Sequence, residues 1–587
     1  MLFYFLLYSI KTVIINHKER RLVMTKFNDY KYERPDLEKV KKELEEQIAL
    51  IGEGKNLETE IQAVYKIFEI NDKTESKSTL VSVRNSLNTT DEFYEKEQEF
   101  FDENGPHLQQ FQHQFIEKLL ASANRKGLEE EFGSLMFLRN ELAMKTFKPE
   151  IIPDLQLENK LSTEYDKLIA SAKIEFQGGT YNISQMAPFI QDKDREVRHQ
   201  AQLTVSKFYA ENEKQFDRIY DDMVKVRHKI AKKLGYENFV QLGYDRFGRT
   251  DYTAADVKTY RDQVFEDIVP LVTSLTERKA KRLGIENPKS YDLALSFLSG
   301  NPTPKGNRAW QVERAKKMYD EMSPQTSEFF NFMLDRELLE LDSKPGKQGG
   351  GYCTYIPEYR SPFIFANFNG TSHDVDVLTH EAGHAFQVYQ SRDLVAEYRW
   401  PTMEAAEIHS MSMEFLAWPW IDQFFLEDTP KYKYNHLAGA VSFLPYGVLV
   451  DEFQHHIYEK PEMTPEERKL TWRKLEKKYM PFKDYGDDDF LEKGTFWFKQ
   501  GHIFGSPFYY IDYTLAQVCA FQYWIKHQEN RKEALDSYLS LCRLGGSKSF
   551  LGLLDSAHLL NPFKKGTVSQ IVKPIKAYLD AIDDTKL

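Results

Sequence analysis

His380-Glu381-Ala382-Gly383-His384 is a HExxH motif, and its residue types and spacing suit one chemistry. On an α-helix, positions i and i+4 share a face, so both imidazoles can reach a single ion. Glu381, one step round, could lie over the ion's open side and take a proton from a water there. A zinc-dependent peptide hydrolase needs that arrangement. With 15 histidines in 587 residues, chance alone produces the motif in roughly a few per cent of such chains, so its context must support it. Val377, Leu378, Ala382, Ala385, Val388 and Tyr389 form the apolar pattern of a buried helix. Gly383 costs that helix about 1 kcal/mol relative to Ala, and its missing side chain leaves room for a metal and a substrate.

Two histidines do not complete a catalytic zinc site, which takes three protein ligands and keeps one position for water. A third histidine six residues past the second would mark the metzincin pattern, but Gln390 stands there. The other solution is a carboxylate from a following helix. Residues 401–414 read as that helix, with Pro401 suited to its first turn and Glu404 and Glu407 to its N-terminal half. Glu407 is the candidate ligand and Glu404 the alternative. Glu414, on nearly the same face, suits a partner that orients a ligand. Taken singly, each glutamate also fits a solvated helix face. Their Ala, Ile and Met neighbours argue for burial, and a buried carboxylate needs a cation or a donor. His409 points elsewhere.

Residues 501–513 read as a loop carrying His502, Tyr509, Tyr510 and Tyr513. Peptide hydrolysis develops an oxyanion, which a phenol or imidazole donor can stabilise. An aromatic core segment is the other reading in a chain with 33 Tyr and 41 Phe. Upstream of the motif, residues 349–357 and 361–370 read as two short strands. An exposed edge there could hold an extended peptide by main-chain hydrogen bonds, with Gly350 and Gly351 permitting close approach and Tyr352 beside them. Asp376, at i−4 from His380, either accepts from its free ring N–H or caps the helix. Cys353 is either a reactive thiol or a small buried residue.

The HEAGH motif with Ala406–Glu414, together with GGYCTYIPEY and FNGTSHDVDVLTHEAGH, resembles the thimet oligopeptidase/oligoendopeptidase F family of zinc peptidases, nearest its Pz-peptidase-type bacterial branch. The resemblance covers roughly residues 24–580. It implies a mostly α fold: a helical ellipsoid split by a deep substrate channel, with a small β-sheet beside the zinc-binding helix. It implies one Zn2+ per chain on His380, His384 and Glu407, with Glu381 as general base and acid. It places Glu414 behind a ligand, makes His502 and Tyr513 the foremost oxyanion donors, and puts Tyr509 and Tyr510 next. Gly243–Thr250 is a turn also seen in the family, with no chemical role assigned.

A chain of this length exceeds one core. The expected division is an extension over 1–23, an N-terminal helical subdomain over 24–200 and a catalytic region over 201–587. Asp+Glu outnumber Lys+Arg by 90 to 78, giving a net charge of −12, and no basic stripe stands out, which argues against nucleic acid. Cys353, Cys519 and Cys542 are widely spaced and form neither a disulfide framework nor a thiolate metal pair, which suits the cytoplasm. Residues 1–10 are apolar but lack a basic lead-in and a cleavage site. The reading is an upstream start codon before Met24, with a weak membrane anchor as the alternative. Leu37, Val40, Leu44, Ile48 and Ile51, closed by Gly52, begin a largely helical chain. The expectation is a cytoplasmic zinc endopeptidase acting on short unfolded peptides. A helical zinc carboxypeptidase is the first rival, and needs a cationic group for the substrate's terminal carboxylate. A non-catalytic peptide-binding homologue is the second, and the intact Glu381 argues against it. No oligomeric state follows from the sequence.

Overall fold

The chain is mostly helix with small sheets, as the sequence led us to expect. A computed structural model describes residues 25–52, 54–344 and 346–587; the extension read over 1–23 lies outside them. The described residues form two compact units, each drawn from separate stretches of chain. One takes the described residues up to Met136, Gly306–Trp400 and Cys542–Gly545. The other takes Phe137–Lys305, Pro401–Leu541 and Gly546–Leu587.

The strands are few. β1 (Ile174–Phe176) and β2 (Gly179–Tyr181) form a hairpin in the second unit, while β3 (Leu339–Asp342), β4 (Tyr352–Ile356) and β5 (Ser361–Phe368) form a sheet in the first. In that sheet β5 is central, parallel to β3 and antiparallel to β4. β4 and β5 are the two strands expected from the sequence. β3 was not foreseen, because Leu339-Glu340-Leu341-Asp342 lacks the β-branched and aromatic residues that mark strands.

In the first unit the leading apolar stripe becomes helix Leu37–Ile48, capped by the Asp36 side chain accepting from the Lys39 amide. It ends at Ile48 with Ala49 as its C-cap, and Gly52 follows beyond the turn at φ +81°, a conformation glycine takes without cost. This helix packs on Leu57–Leu87, which packs in turn on Glu92–Ala121 and on β4. The HExxH helix, His373–Ser391, lies across β4 and β5.

The second unit centres on three packed helices. Thr429–Glu459 and Met403–Leu416 both pack on Tyr510–Glu529. Met403–Leu416 is buried on almost every side, and each large apolar side chain it buries stabilises by about 1.5–3 kcal/mol. It begins at Met403, so Pro401 precedes the helix rather than sitting in its first turn. The Ala405 and Ala406 amides both reach the Thr402 carbonyl, at 3.0 and 2.8 Å, which fixes Thr402 as the entry point. Among the described residues no helix is long and apolar enough to cross a membrane.

Candidate active site

The HExxH helix carries its motif as the periodicity required. Leu378, Ala382, Ala385, Val388 and Tyr389 are buried, and the His380 and His384 rings stand 5.1 Å apart at 82°. Glu381 is buried. Gly351 borders Glu381: a Cβ there would lie 3.6 Å from its carboxylate oxygen and 3.4 Å from the Phe365 carbonyl, ordinary contact distances. Gly350 adopts φ +88° beside it. Tyr352 is turned to other work: its hydroxyl meets Ser86 at 2.7 Å and its ring stacks on Phe365. Cys353 is half-buried; burial, and then the Glu381 charge, push its thiol well above its usual range, which disfavours the reactive thiolate. Asp376 is half-buried one turn before His380. The loop before the helix is tied by Asp374, which accepts from the Asn369 and Gly370 amides at 2.8 Å each.

Glu407 lies on the buried Met403–Leu416 helix, 3% exposed. The Tyr509 hydroxyl donates to its Oε1 at 2.7 Å and the Ser410 hydroxyl to its Oε2 at 2.9 Å. Both donors are neutral, so they orient the carboxylate and leave its charge available to a cation. His380, His384 and Glu407 each offer one donor atom, and these three atoms lie within 4.8 Å of one another. Two imidazoles and a carboxylate are the donor set that zinc takes, at bond lengths of about 2 Å, so the residues fit the ion. Glu404 is not in this group. Its carboxyl is pushed upward by burial against the pull of Arg249. Glu414 pairs with His436 at 2.8 Å.

The segment read as a loop over 501–513 is instead a short helix, Gly501–Gly505, a turn, and the start of Tyr510–Glu529. Its side chains converge. The Tyr513 hydroxyl is 3.4 Å from His502 Nε2, and the Tyr509 and Tyr510 rings lie 5.6 and 5.2 Å from the imidazole. Burial lowers the His502 pKa against the opposing pull of the Glu407 charge. Burial, and then Glu407, push the Tyr509 phenol far up, so it remains a donor.

Sequence reasoning missed the supports of this cluster. Gln500 donates to His502 Nδ1 at 2.8 Å, and the Tyr446 hydroxyl donates to the Gln500 Oε1 at 2.7 Å. Gly243–Thr250, read as a turn, is instead the end of helix Phe239–Arg246 and the residues that follow it, and it acquires a role as well. Its Arg249 donates to the Phe508 carbonyl at 2.6 Å and to Asp512 at 2.7 Å, with both charged side chains fully buried. Its Phe247 stacks on Tyr509. Phe508 itself adopts φ +70°, a strained conformation for a side-chain-bearing residue, and Gln454 accepts from its amide at 2.9 Å. This segment and Gln454 therefore hold the backbone that aims Tyr509.

The chain is 24% identical to an oligoendopeptidase F homolog of Borreliella burgdorferi over 67% of its own length and 66% of the relative's. It spans smaller shares, 35% and 46%, of relatives from Lactococcus lactis and Mycoplasma genitalium. A solved structure of Pz peptidase A with an inhibitor is 50% identical, with a TM-score of 0.93, covering 95% of this chain and 100% of that one. Oligoendopeptidase-F from Enterococcus faecium, at 16% identity and a TM-score of 0.60 over 93% and 97% of the two chains, shares the fold. Residues 27–147 match the peptidase M3 N-terminal domain and residues 189–572 match peptidase family M3; the chain belongs to peptidase family M3.

Proposed function

We propose that this chain is a zinc-dependent endopeptidase hydrolysing internal bonds of short, unfolded peptides in the cytoplasm. The observation that carries the reading is the gathering of the His380, His384 and Glu407 donor atoms within 4.8 Å, with Glu381 between the histidines. Zinc, when bound, supplies a Lewis acid for the scissile carbonyl and lowers the pKa of a water. Glu381 takes the proton of the attacking water and returns it to the leaving amine. His502 Nε2 and the Tyr513 hydroxyl donate to the developing oxyanion, with Tyr510 packed against that pair. Tyr509 and Ser410 hold Glu407 in place, while Glu414 and Asp376 act as outer partners of the ligand set. β4 is an edge strand of its sheet, and its lead-in of Gly350, Gly351 and Tyr352 suits main-chain pairing with an extended peptide. The relatives named oligoendopeptidase F, and the likeness to Pz peptidase A, support an endopeptidase of short peptides.

The test is a quenched fluorescent peptide of about ten residues, blocked at both ends, on the scale of an extended binding site. We expect internal cleavage by zinc-loaded protein, loss on chelation, recovery with zinc, and a fall in kcat of about 10²–10⁴-fold in Glu381→Gln. Blocked peptide left intact while free-ended peptide loses C-terminal residues would favour the carboxypeptidase instead.

A further inference from the structure

The second unit holds a cavity of about 380 Å³ that the proposed chemistry does not use. That size falls in the range of small-molecule sites, about 300–1,000 Å³. Its wall is largely apolar, formed by Ile190, Val205, Leu293, Met480, Phe490 and Phe496 among others. Lys483 and Lys499 interrupt this wall, and both ammonium groups lie against the Phe496 ring, 3.1 and 3.8 Å from its centroid.

The two lysines differ in how their charge is met. Lys483 is paired with Glu476 at 3.0 Å. That carboxylate also receives Arg473 at 3.0 Å and the Tyr485 hydroxyl at 2.6 Å. Arg473 leans further on Glu492, which Lys477 shares. Among the described residues no carboxylate lies within ion-pair distance of Lys499, whose side chain is open to the cavity. Its ammonium thus faces the cavity beside an apolar surface, met by the Phe496 ring but, among the described residues, by no carboxylate within ion-pair distance. An anion with an apolar body suits this site twice, by pairing with the ammonium and by covering the wall.

We propose that this cavity binds a carboxylate with an apolar body, its head on Lys499 and its body along Phe496 and Leu293. Two sources share that chemistry: the C-terminus of an apolar peptide and a free aliphatic acid. Occupancy has a route to the catalytic cluster. The Phe496 and Tyr446 rings meet perpendicular, with centroids 6.0 Å apart, and Tyr446 holds Gln500, which holds His502.

Isothermal titration at pH 6.5 tests this on zinc-loaded protein, with decanoate, decanol and decylamine in one arm and N-acetyl-Leu-Phe as free acid and as amide in the other. Wild type is expected to bind a carboxylate and to refuse its neutral and cationic analogues. Lys499→Met should weaken that binding at least tenfold, and Lys499→Arg should stay within threefold of wild type. Binding of decanoate alone identifies a free acid, and binding of the peptide acid alone identifies a peptide terminus. The proposal is overturned if neither carboxylate binds, if an uncharged analogue binds as tightly, or if Lys499→Met binds like wild type. Should Lys499→Met fail to fold, the charge selectivity of wild type and the Arg variant still decide the matter.

Discussion

The chemistry of His502 is set by groups on the side away from the Tyr513 hydroxyl. Gln500 presents its amide N–H to Nδ1 because Tyr446 occupies the amide oxygen. The proton is thereby left on Nε2, facing the Tyr513 hydroxyl. Gln500→Met should release the ring into a mixture of tautomers, lowering kcat about tenfold with KM little changed. Gln500→Glu should raise the His502 pKa, since a carboxylate within reach favours the charged imidazole. Nitrogen-15 NMR of the histidine ring reads both effects, and wild type should show Nε2–H and titrate below the usual range. An identical tautomer and titration in all three proteins would remove Gln500 from this role. The HExxH pair was legible because its spacing is a local fact of one helix. The hold of Tyr509 on Glu407 was not, since those residues are 102 positions apart and nothing in either segment announces the other.

The Gly243–Thr250 segment, a helix end and the turn after it, shows how one short stretch can set the position of another. Gly243 has no side chain because Phe508 needs the space: a Cβ there would lie 2.5 Å from the Phe508 ring. Gly243→Ala should therefore push on a residue already held at positive φ, destabilising the protein by about 1–3 kcal/mol and reducing kcat through the misplaced Tyr509. Denaturant unfolding and steady-state kinetics check this, and an alanine variant indistinguishable from wild type in both would contradict it. Arg249→Met should be worse, about 3–5 kcal/mol, because it leaves Asp512 buried beside Glu404 without their shared cation. The sequence offered the turn only as glycines flanking aromatic and charged residues. Its target lies 259 to 263 positions away, so its function could not be read from periodicity. The helical stripe from Leu37, the buried Glu407 helix and the β4–β5 pair were legible, because 3.6-residue and two-residue repeats are local.

At the scale of the whole molecule, a metal that binds the folded chain must stabilise it. Free zinc at a thousand times its Kd adds about 4 kcal/mol, so the melting transition of wild type should rise on adding zinc to chelated protein. His380→Ala and His384→Ala should lose most of that rise, and calorimetry with matched zinc activities measures it. Equal shifts in wild type and both variants would mean that zinc acts elsewhere. The way the chain is divided bears on its birth as well as its stability. Helix Leu57–Leu87 packs on β4, yet β4 belongs to a stretch that begins only at Gly306, after the intervening Phe137–Lys305. At ribosomal speeds of 5–20 residues per second that wait is on the order of ten seconds or more. Throughout it, the helix, whose Leu80, Val81 and Val83 are buried in the finished protein, waits for the strand it packs on. Nascent chains of this protein are thus natural clients for chaperones that shelter apolar surface during translation, and slowing synthesis between residues 137 and 305 should lengthen that dependence.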